Sequence, residues 1–337
     1  MLLSAYLTQH VWPRRGWVAY LLWPITLLSG SWVHLNRLLY KHGWRQSVRL
    51  PVPVLVVGNV VAGGTGKTPV VISLVQHFTA KGFRVGVIAR AYGSSQESVK
   101  EVNHHSQAAD AGDEPLLVKQ RCDIPVFVGR KRALAAQALL SAYPNTDFII
   151  SDDGMQHHAL RHDIAICVFD DRGCGNGWLL PAGPLREHWP TVSPIGVTRH
   201  VLYTGEQHPR DAWVAKRSLA AYAINGAGEQ RELREWAGQA VQALAAIAKP
   251  DVFFQALTQA GLQLVHRWPL PDHASLLHWK PDSNLPIFCT EKDAVKLWPD
   301  LPQAWAVPLV CELPLPLLDA LSLNLQQLSL IHGQKTA

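Results

Sequence analysis

The sequence predicts an α/β protein: a mostly parallel sheet with helices on both faces, a smaller second α/β domain, and an N-terminal membrane-associated helical segment. Three observations predict it. From Val52 onward, short apolar runs alternate with helical stretches, the pattern of parallel strands joined by crossover helices. A glycine-rich segment, AGGTGKTP (Ala62–Pro69), falls between one such run and a helix. Upstream, Gly16–Val33 holds no charged residue. At 337 residues the chain is long for a single domain. The expected division is 1–48 for the N-terminal segment, 49–197 for the core domain and 198–337 for the smaller one.

The elements follow in order. Val52–Val57 is a buried strand, Lys67–Ala80 a helix, and Arg84–Ala89 a second strand. Ile124–Val128, Phe148–Ser151 and Ile164–Phe169 supply further strands, with an Ala/Leu-rich helix at Lys131–Ala142. Asp170–Thr198 is rich in Gly and Pro and reads as a long ordered loop, beside a site or at a domain boundary. Arg231–Ala248 and Val252–Ala260 read as helices, and Ile287–Thr290 as a strand before a helix start. After Leu313 the chain is Leu-rich and weakly specified.

The N-terminal segment has three readings. Arg14 and Arg15 precede the apolar stretch, and Arg37, Lys41 and Arg45 follow it. Trp17, Trp23 and Trp32 suit headgroup depth and the basic residues suit lipid phosphates, so a helix or hairpin lying on a bilayer fits best. Pro24, Thr26, Ser29 and Ser31 weaken a membrane span. An apolar helix packed on the core is the third reading.

Composition narrows the partners. The formal charge of +5 suits an anionic surface or phosphorylated substrates and is modest for a nucleic-acid binder, so no nucleic acid is expected. Five cysteines without a C-x-x-C pair suggest neither a zinc site nor a disulfide framework, and a reducing cytoplasm is the simplest home.

In the glycine segment, Gly63, Gly64 and Gly66 let backbone N–H groups face phosphate oxygens. Lys67 can reach the β and γ phosphates from a helix N-terminus, and Thr68 would hold Mg²⁺. The nucleotide-binding stretch is Val61, Ala62, Gly63, Gly64, Thr65, Gly66, Lys67 and Thr68. Val61 stands where the strict G-x-x-x-x-G-K-[ST] pattern has glycine, which alters the loop's opening turn and not its phosphate-facing half. The fold expected is therefore P-loop NTPase-like. Asp152 and Asp153 at the end of another strand could organise the metal. A turn or cap is the plainer reading of these acids, as it is of Asp113 and Glu114 in AGDEP. Arg90 ends the second strand, where a guanidinium could stabilise a transferring phosphoryl group. Asp113 could serve as a general base, and His273 lies far along the chain in LPDHAS.

Together these motifs resemble one family. GGTGKTP, R-x-Y-G at Arg90–Gly93, GDEP at Gly112–Pro115, DDGMQHHAL at Asp152–Leu160, LPAGPLRE at Leu180–Glu187, PDH at Pro271–His273 and TEKDAVKL at Thr290–Leu297 are similar, in order, to the motifs of the tetraacyldisaccharide 4'-kinases. The resemblance implies transfer of the ATP γ-phosphate, with Mg²⁺, to the 4' hydroxyl of a tetraacyl glucosamine disaccharide 1-phosphate. It also implies work at the cytoplasmic face of the bacterial inner membrane, with a lipid-linked disaccharide as partner. Carried over by position, Asp113 matches the catalytic base and His273 its partner. Lys67, Thr68, Asp152, Asp153, Gln156 and His157 match the ATP and Mg²⁺ site, and Arg90 a phosphate-contacting arginine. Arg186 and Glu187 are further candidates. Ala91, His162 and the Ala246-Ile247-Ala248 segment depart from the usual family pattern. The alternatives are a P-loop ATPase or GTPase switch and a membrane-peripheral nucleotide-binding scaffold.

Overall fold

The structure, a computed structural model, describes residues 6–90, 99–191, 196–281 and 283–333. Its larger sheet holds β1 (Val54–Gly58), β2 (Val85–Ala89), β3 (Lys100–Val102), β4 (Val126–Val128), β5 (Phe148–Asp152), β6 (Ile164–Phe169), β7 (Thr198–Tyr203) and β8 (Trp213–Val214). The order is β3-β4-β2-β5-β1-β6-β7-β8, and every neighbouring pair is parallel except β3 with β4. The order reverses between β1 and β6, the kind of switch point at whose carboxyl end ligands bind in open α/β sheets. Register places Val57 beside Asp152. The glycine loop and the paired aspartates therefore leave the sheet side by side.

Both faces of this sheet are covered, which is why its strands read as continuous apolar runs. Leu55 and Val57 point into one core with Val70, Leu74 and Phe78 of the helix Lys67–Ala80. Val54 and Val56 point into the other with Ala135, Ala136 and Leu139 of the helix Arg132–Ala142. The C-terminal helix Leu315–Gly333 returns to the first core through Leu317, Leu321 and Leu325.

The second sheet contains β10 (Tyr222–Ile224), β11 (Gln230–Glu232), β12 (Ala240–Ala245), β13 (Gln263–Pro269), β14 (Ile287–Thr290) and β15 (Trp305–Val307), in the order β11-β10-β15-β14-β12-β13. A ribbon of β9 (Lys216–Leu219) and β16 (Leu309–Glu312) stands beside it. Position 198, expected to open the smaller domain, is the first residue of β7 in the larger sheet. The second sheet takes its strands from Tyr222 onward.

One helix expected from the sequence is absent. Within Arg231–Ala248 the chain forms the end of β11, a short 3₁₀ turn at Leu233–Trp236, and β12. β12 lies between the parallel strands β13 and β14 with Val241, Ala243, Leu244 and Ala245 buried. A strand buried on both faces loses its polar alternation, and its alanines then imitate a helix.

The N-terminal helix runs Trp17–Lys41 with Pro24 inside it, and it is long and apolar enough to cross a membrane. Ala19 and Thr26 are buried, while Trp17, Leu21, Leu28, Trp32 and Leu35 form an exposed apolar face. Two of its polar residues face the protein: Thr26 Oγ1 donates to Leu179 O (3.2 Å) and Ser29 Oγ to Leu180 O (2.5 Å).

Candidate active site

The glycine loop is held by its carbonyls. Arg172 donates to Ala62 O (3.2 Å) and Gly64 O (2.8 Å), Asn59 Nδ2 to Gly63 O (3.3 Å), and Thr204 Oγ1 to Thr65 O (3.0 Å). Among the described residues, the N–H groups of Gly63–Gly66 find no protein acceptor. A loop anchored through its oxygens presents its nitrogens as an anion cradle, continued by the N-terminus of the helix Lys67–Ala80. Gly66 takes φ +78°, a left-handed conformation that glycine adopts freely. Val61 is buried in the core and bridges Leu185, so the position that departs from the strict pattern is paired, extended backbone.

Lys67 is almost wholly buried, with Nζ 3.5 Å from Asp153 Oδ1. Arg186 Nη1 reaches both oxygens of Asp153 at 3.1 Å. Burial pushes the Asp153 carboxyl up, but Lys67 and Arg186 outweigh it and hold it below its ordinary value. Asp152 differs: burial, then the charge of Glu114, raises it to about 7. Its Oδ1 is buried without a hydrogen-bond partner.

That orphaned oxygen tests whether Mg²⁺ fits. A buried carboxylate oxygen facing no donor suits a hard cation, and Thr68, also buried, opens the helix that follows the glycine loop. Among the described residues no group of three or more His, Cys, Asp and Glu could hold a metal alone. Phosphate oxygens and water would therefore complete such a site. Gln156 Nε2 donates to Asn59 O (2.9 Å) and Glu187 Oε1 (2.8 Å), bracing the loop from behind. His157 Nε2 accepts from Arg132 N (3.3 Å) at the start of the helix Arg132–Ala142, and burial pulls the imidazole down to about 4. Beneath Asp152, the buried Arg132 donates Nη2 to its carbonyl (3.1 Å).

A second cluster stands at the N-terminus of the helix Asp113–Cys122. Asp113 is buried, and its Oδ2 lies 3.0 Å from His273 Nδ1, so two residues 160 positions apart meet. Lys292 and Lys296, on the helix Glu291–Leu297, approach the same oxygen at 3.9 and 3.8 Å. Burial pushes Asp113 up, but His273, Lys292 and Lys296 together bring it below its ordinary value. The hydrogen bond it donates to Asp113 raises His273. Glu114 belongs to both clusters, acting electrostatically on Asp152 and lying 3.3 Å from Lys292.

Arg90 follows β2 at the carboxyl edge of the sheet, exposed, with its carbonyl against Gly112 and its charge acting on His157. Ala91, Tyr92 and Gly93 lie outside the described residues. Near the other two departures, burial pulls His162 down to about 4, and Ala246 N donates to Asp293 Oδ2 (2.9 Å).

A phosphate cradle and a carboxylate–imidazole pair at one sheet edge match the ordered motifs of the sequence. The family model described as tetraacyldisaccharide-1-P 4'-kinase matches residues 18–326. The chain belongs to the tetraacyldisaccharide 4'-kinase family. A tetraacyldisaccharide 4'-kinase of Acidovorax sp. (strain JS42) is 49% identical over 325 residues, 95% of each chain. One from Polaromonas sp. (strain JS666 / ATCC BAA-500) is 48% identical over 340 residues, covering 98% of this chain and all of the relative. The fold is similar to a crystal structure of "apo" form LpxK from Aquifex aeolicus in complex with ATP, with TM-score 0.76 and 24% identity over 91% of this chain and 99% of that one.

Sequence reasoning missed Arg132, Arg172, Thr204, Arg217, whose guanidinium lies over Gly66, and the roles of Lys292 and Lys296. The first four carry no motif spacing; they are brought to the site by the loops after β4, β6 and β7 and by β9. The two lysines lie in TEKDAVKL at i and i+4, one face of a helix, which was a usable signal.

Proposed function

We propose that this protein transfers the γ-phosphate of ATP to the 4' hydroxyl of a tetraacyl glucosamine disaccharide 1-phosphate, giving lipid IVA, at the cytoplasmic face of the inner membrane. Family membership supports the reaction. The observation that carries the mechanism is the Asp113–His273 pair at 3.0 Å, with the adjacent Glu114 acting electrostatically on Asp152 beside the phosphate loop.

In this reading the open N–H groups of Gly63–Gly66 and the Lys67 ammonium receive the phosphates. Arg90 is positioned by β2 to face the transferring group. Thr68 and Asp152 would hold Mg²⁺, with Asp153 and Gln156 beside them, and the ion would neutralise charge on the phosphate oxygens. Asp113 accepts the hydroxyl proton as the sugar oxygen bonds to the γ-phosphorus. The bond to the β–γ bridging oxygen breaks, and ADP leaves with the electron pair. Asp113 then returns its proton to solvent. His273 holds the carboxylate in place, and catalysis rests on positioning and electrostatics.

The exposed apolar face of Trp17–Lys41 supports attachment to a bilayer. A substrate with four acyl chains stays in the membrane, so the enzyme must come to it. The discriminating experiment is ATP consumption with and without the lipid. A kinase uses little ATP until the disaccharide 1-phosphate is added; consumption unaffected by the lipid would favour a nucleotide switch.

A further inference from the structure

Lys292 is nearly enclosed, with 17% of its side chain exposed, and its Nζ has three acceptors: His273 Nε2 at 3.1 Å, Asp272 Oδ1 at 3.2 Å and Glu114 Oε1 at 3.3 Å. An ammonium carries three hydrogens and no lone pair, so these contacts use its whole capacity. The three partners come from two segments: the helix Asp113–Cys122 supplies Glu114, and the turn after β13 supplies Asp272 and His273. A surface ion pair would need only one of them.

The contact with His273 has a chemical consequence. Because Lys292 can only donate, Nε2 must accept, and the ring hydrogen must then sit on Nδ1, 3.0 Å from Asp113 Oδ2. We infer that Lys292 is a positioning residue for the proton-accepting pair, holding His273 as the neutral Nδ1–H tautomer so that the imidazole hydrogen orients the Asp113 carboxylate. This rests on the assignment of Asp113 as base.

The charges around the ring pull both ways: its hydrogen bond to Asp113 and the nearby carboxylates raise its pKa, and Lys292 opposes them. Asp113 and Glu114 face it from one helix, Asp272 from its own turn, and Lys292 and Lys296 from another helix, where Lys296 also pairs with Asp293 at 3.1 Å. Burial pulls the Lys292 ammonium down, but Glu114, Asp113 and Asp272 outweigh it and keep it above its ordinary value. It therefore remains a donor at neutral pH. Lys292 also opposes protonation of His273, so its removal would favour the imidazolium as well as the other tautomer.

The test is ¹⁵N NMR of the His273 ring in the full chain, assigned with His273→Gln, alongside kinetics of Lys292→Met and Lys292→Gln. Wild type should show Nδ1 protonated and Nε2 bare once the pH is above the ring's raised pKa. Lys292→Met should gain a protonated Nε2, raise the ring's pKa, and lose about ten- to a hundredfold in kcat, within the range a positioned base contributes. Its KM for ATP should move less than about twofold, since Lys292 touches no part of the phosphate loop. Lys292→Gln keeps a neutral donor and should recover the wild-type tautomer and part of the rate; it also serves if Lys292→Met does not fold. At that pH, a wild-type ring protonated on Nε2, a Lys292→Met rate loss with an unmoved ring spectrum, or a Lys292→Gln variant whose ring takes the other tautomer while its rate is kept, would overturn the inference. The spectrum needs no turnover. A wild-type Nδ1–H ring in a protein whose Asp113→Asn variant keeps its rate would instead sink the base assignment.

Discussion

Asp113→Asn isolates the base from the cradle. The substitution keeps the volume of a buried side chain, and Oδ1 can still accept from Glu114 N, as it does now at 3.0 Å. It removes the charge and the proton acceptor. The position of Oδ2 becomes either an amide nitrogen facing the His273 ring nitrogen, donor against donor, or an oxygen that no longer attracts Lys292 and Lys296 at 3.9 and 3.8 Å. A positioned base contributes about a hundred- to ten-thousandfold, or roughly 3–5 kcal/mol of barrier. Turnover should fall by that factor, while KM for ATP stays within about twofold because none of these contacts reaches Gly63–Thr68. Stability should fall too: the folded carboxyl is held below its ordinary value, so its contribution is present at neutral pH and lost only in acid. The assay is initial-rate phosphorylation at saturating lipid with ATP titrated, beside thermal melting. A variant with kcat within about threefold of wild type would refute the reasoning.

Three further predictions concern other parts of the molecule. A Cβ at Gly64 would meet no protein atom within 4 Å, so Gly64→Ala should leave the melting temperature almost unchanged, yet weaken ATP binding by about tenfold or more in calorimetry. Gly66→Ala should cost roughly 1–2 kcal/mol of stability as well, from its φ of +78°. Burial holds His162 at about 4 against its ordinary 6.5, so the unfolded chain binds the proton more tightly. Stability should fall as pH drops from 6.5 toward 4, by on the order of 3 kcal/mol, and denaturant melts of His162→Gln should show a flatter profile over that window. Replacing Trp17, Leu28 and Trp32 by Ser should cut flotation with anionic vesicles by at least about a hundredfold. Each such side chain contributes about 1.5–3 kcal/mol on burial, and all three are exposed in the structure. Melting in detergent should be little changed.

The core of this fold was legible because local and global signals agree there. Lys67–Ala80 and Ile164–Phe169 have the bounds expected of them, since a glycine cradle opens the one and an unbroken apolar run defines the other. β12 was not legible: sandwiched between parallel strands, it has no polar face to mark its period. In the site, the phosphate loop could be read from spacing. Its carbonyl latches could not, because Arg172 and Thr204 reach it from distant loops. The resemblance paired Asp113 with His273, and the structure adds what spacing omits: two lysines and Asp272 around them, set by the docking of a short helix against the Asp113 helix.

The most direct test is to incubate purified protein with ATP, Mg²⁺ and the tetraacyl disaccharide 1-phosphate, then read the lipid by mass spectrometry and ³¹P NMR. The account predicts a mass gain of one phosphate, as a monoester at the 4' position, with one ADP formed per lipid. ADP without phosphorylated lipid, or phosphate at another hydroxyl, would contradict it.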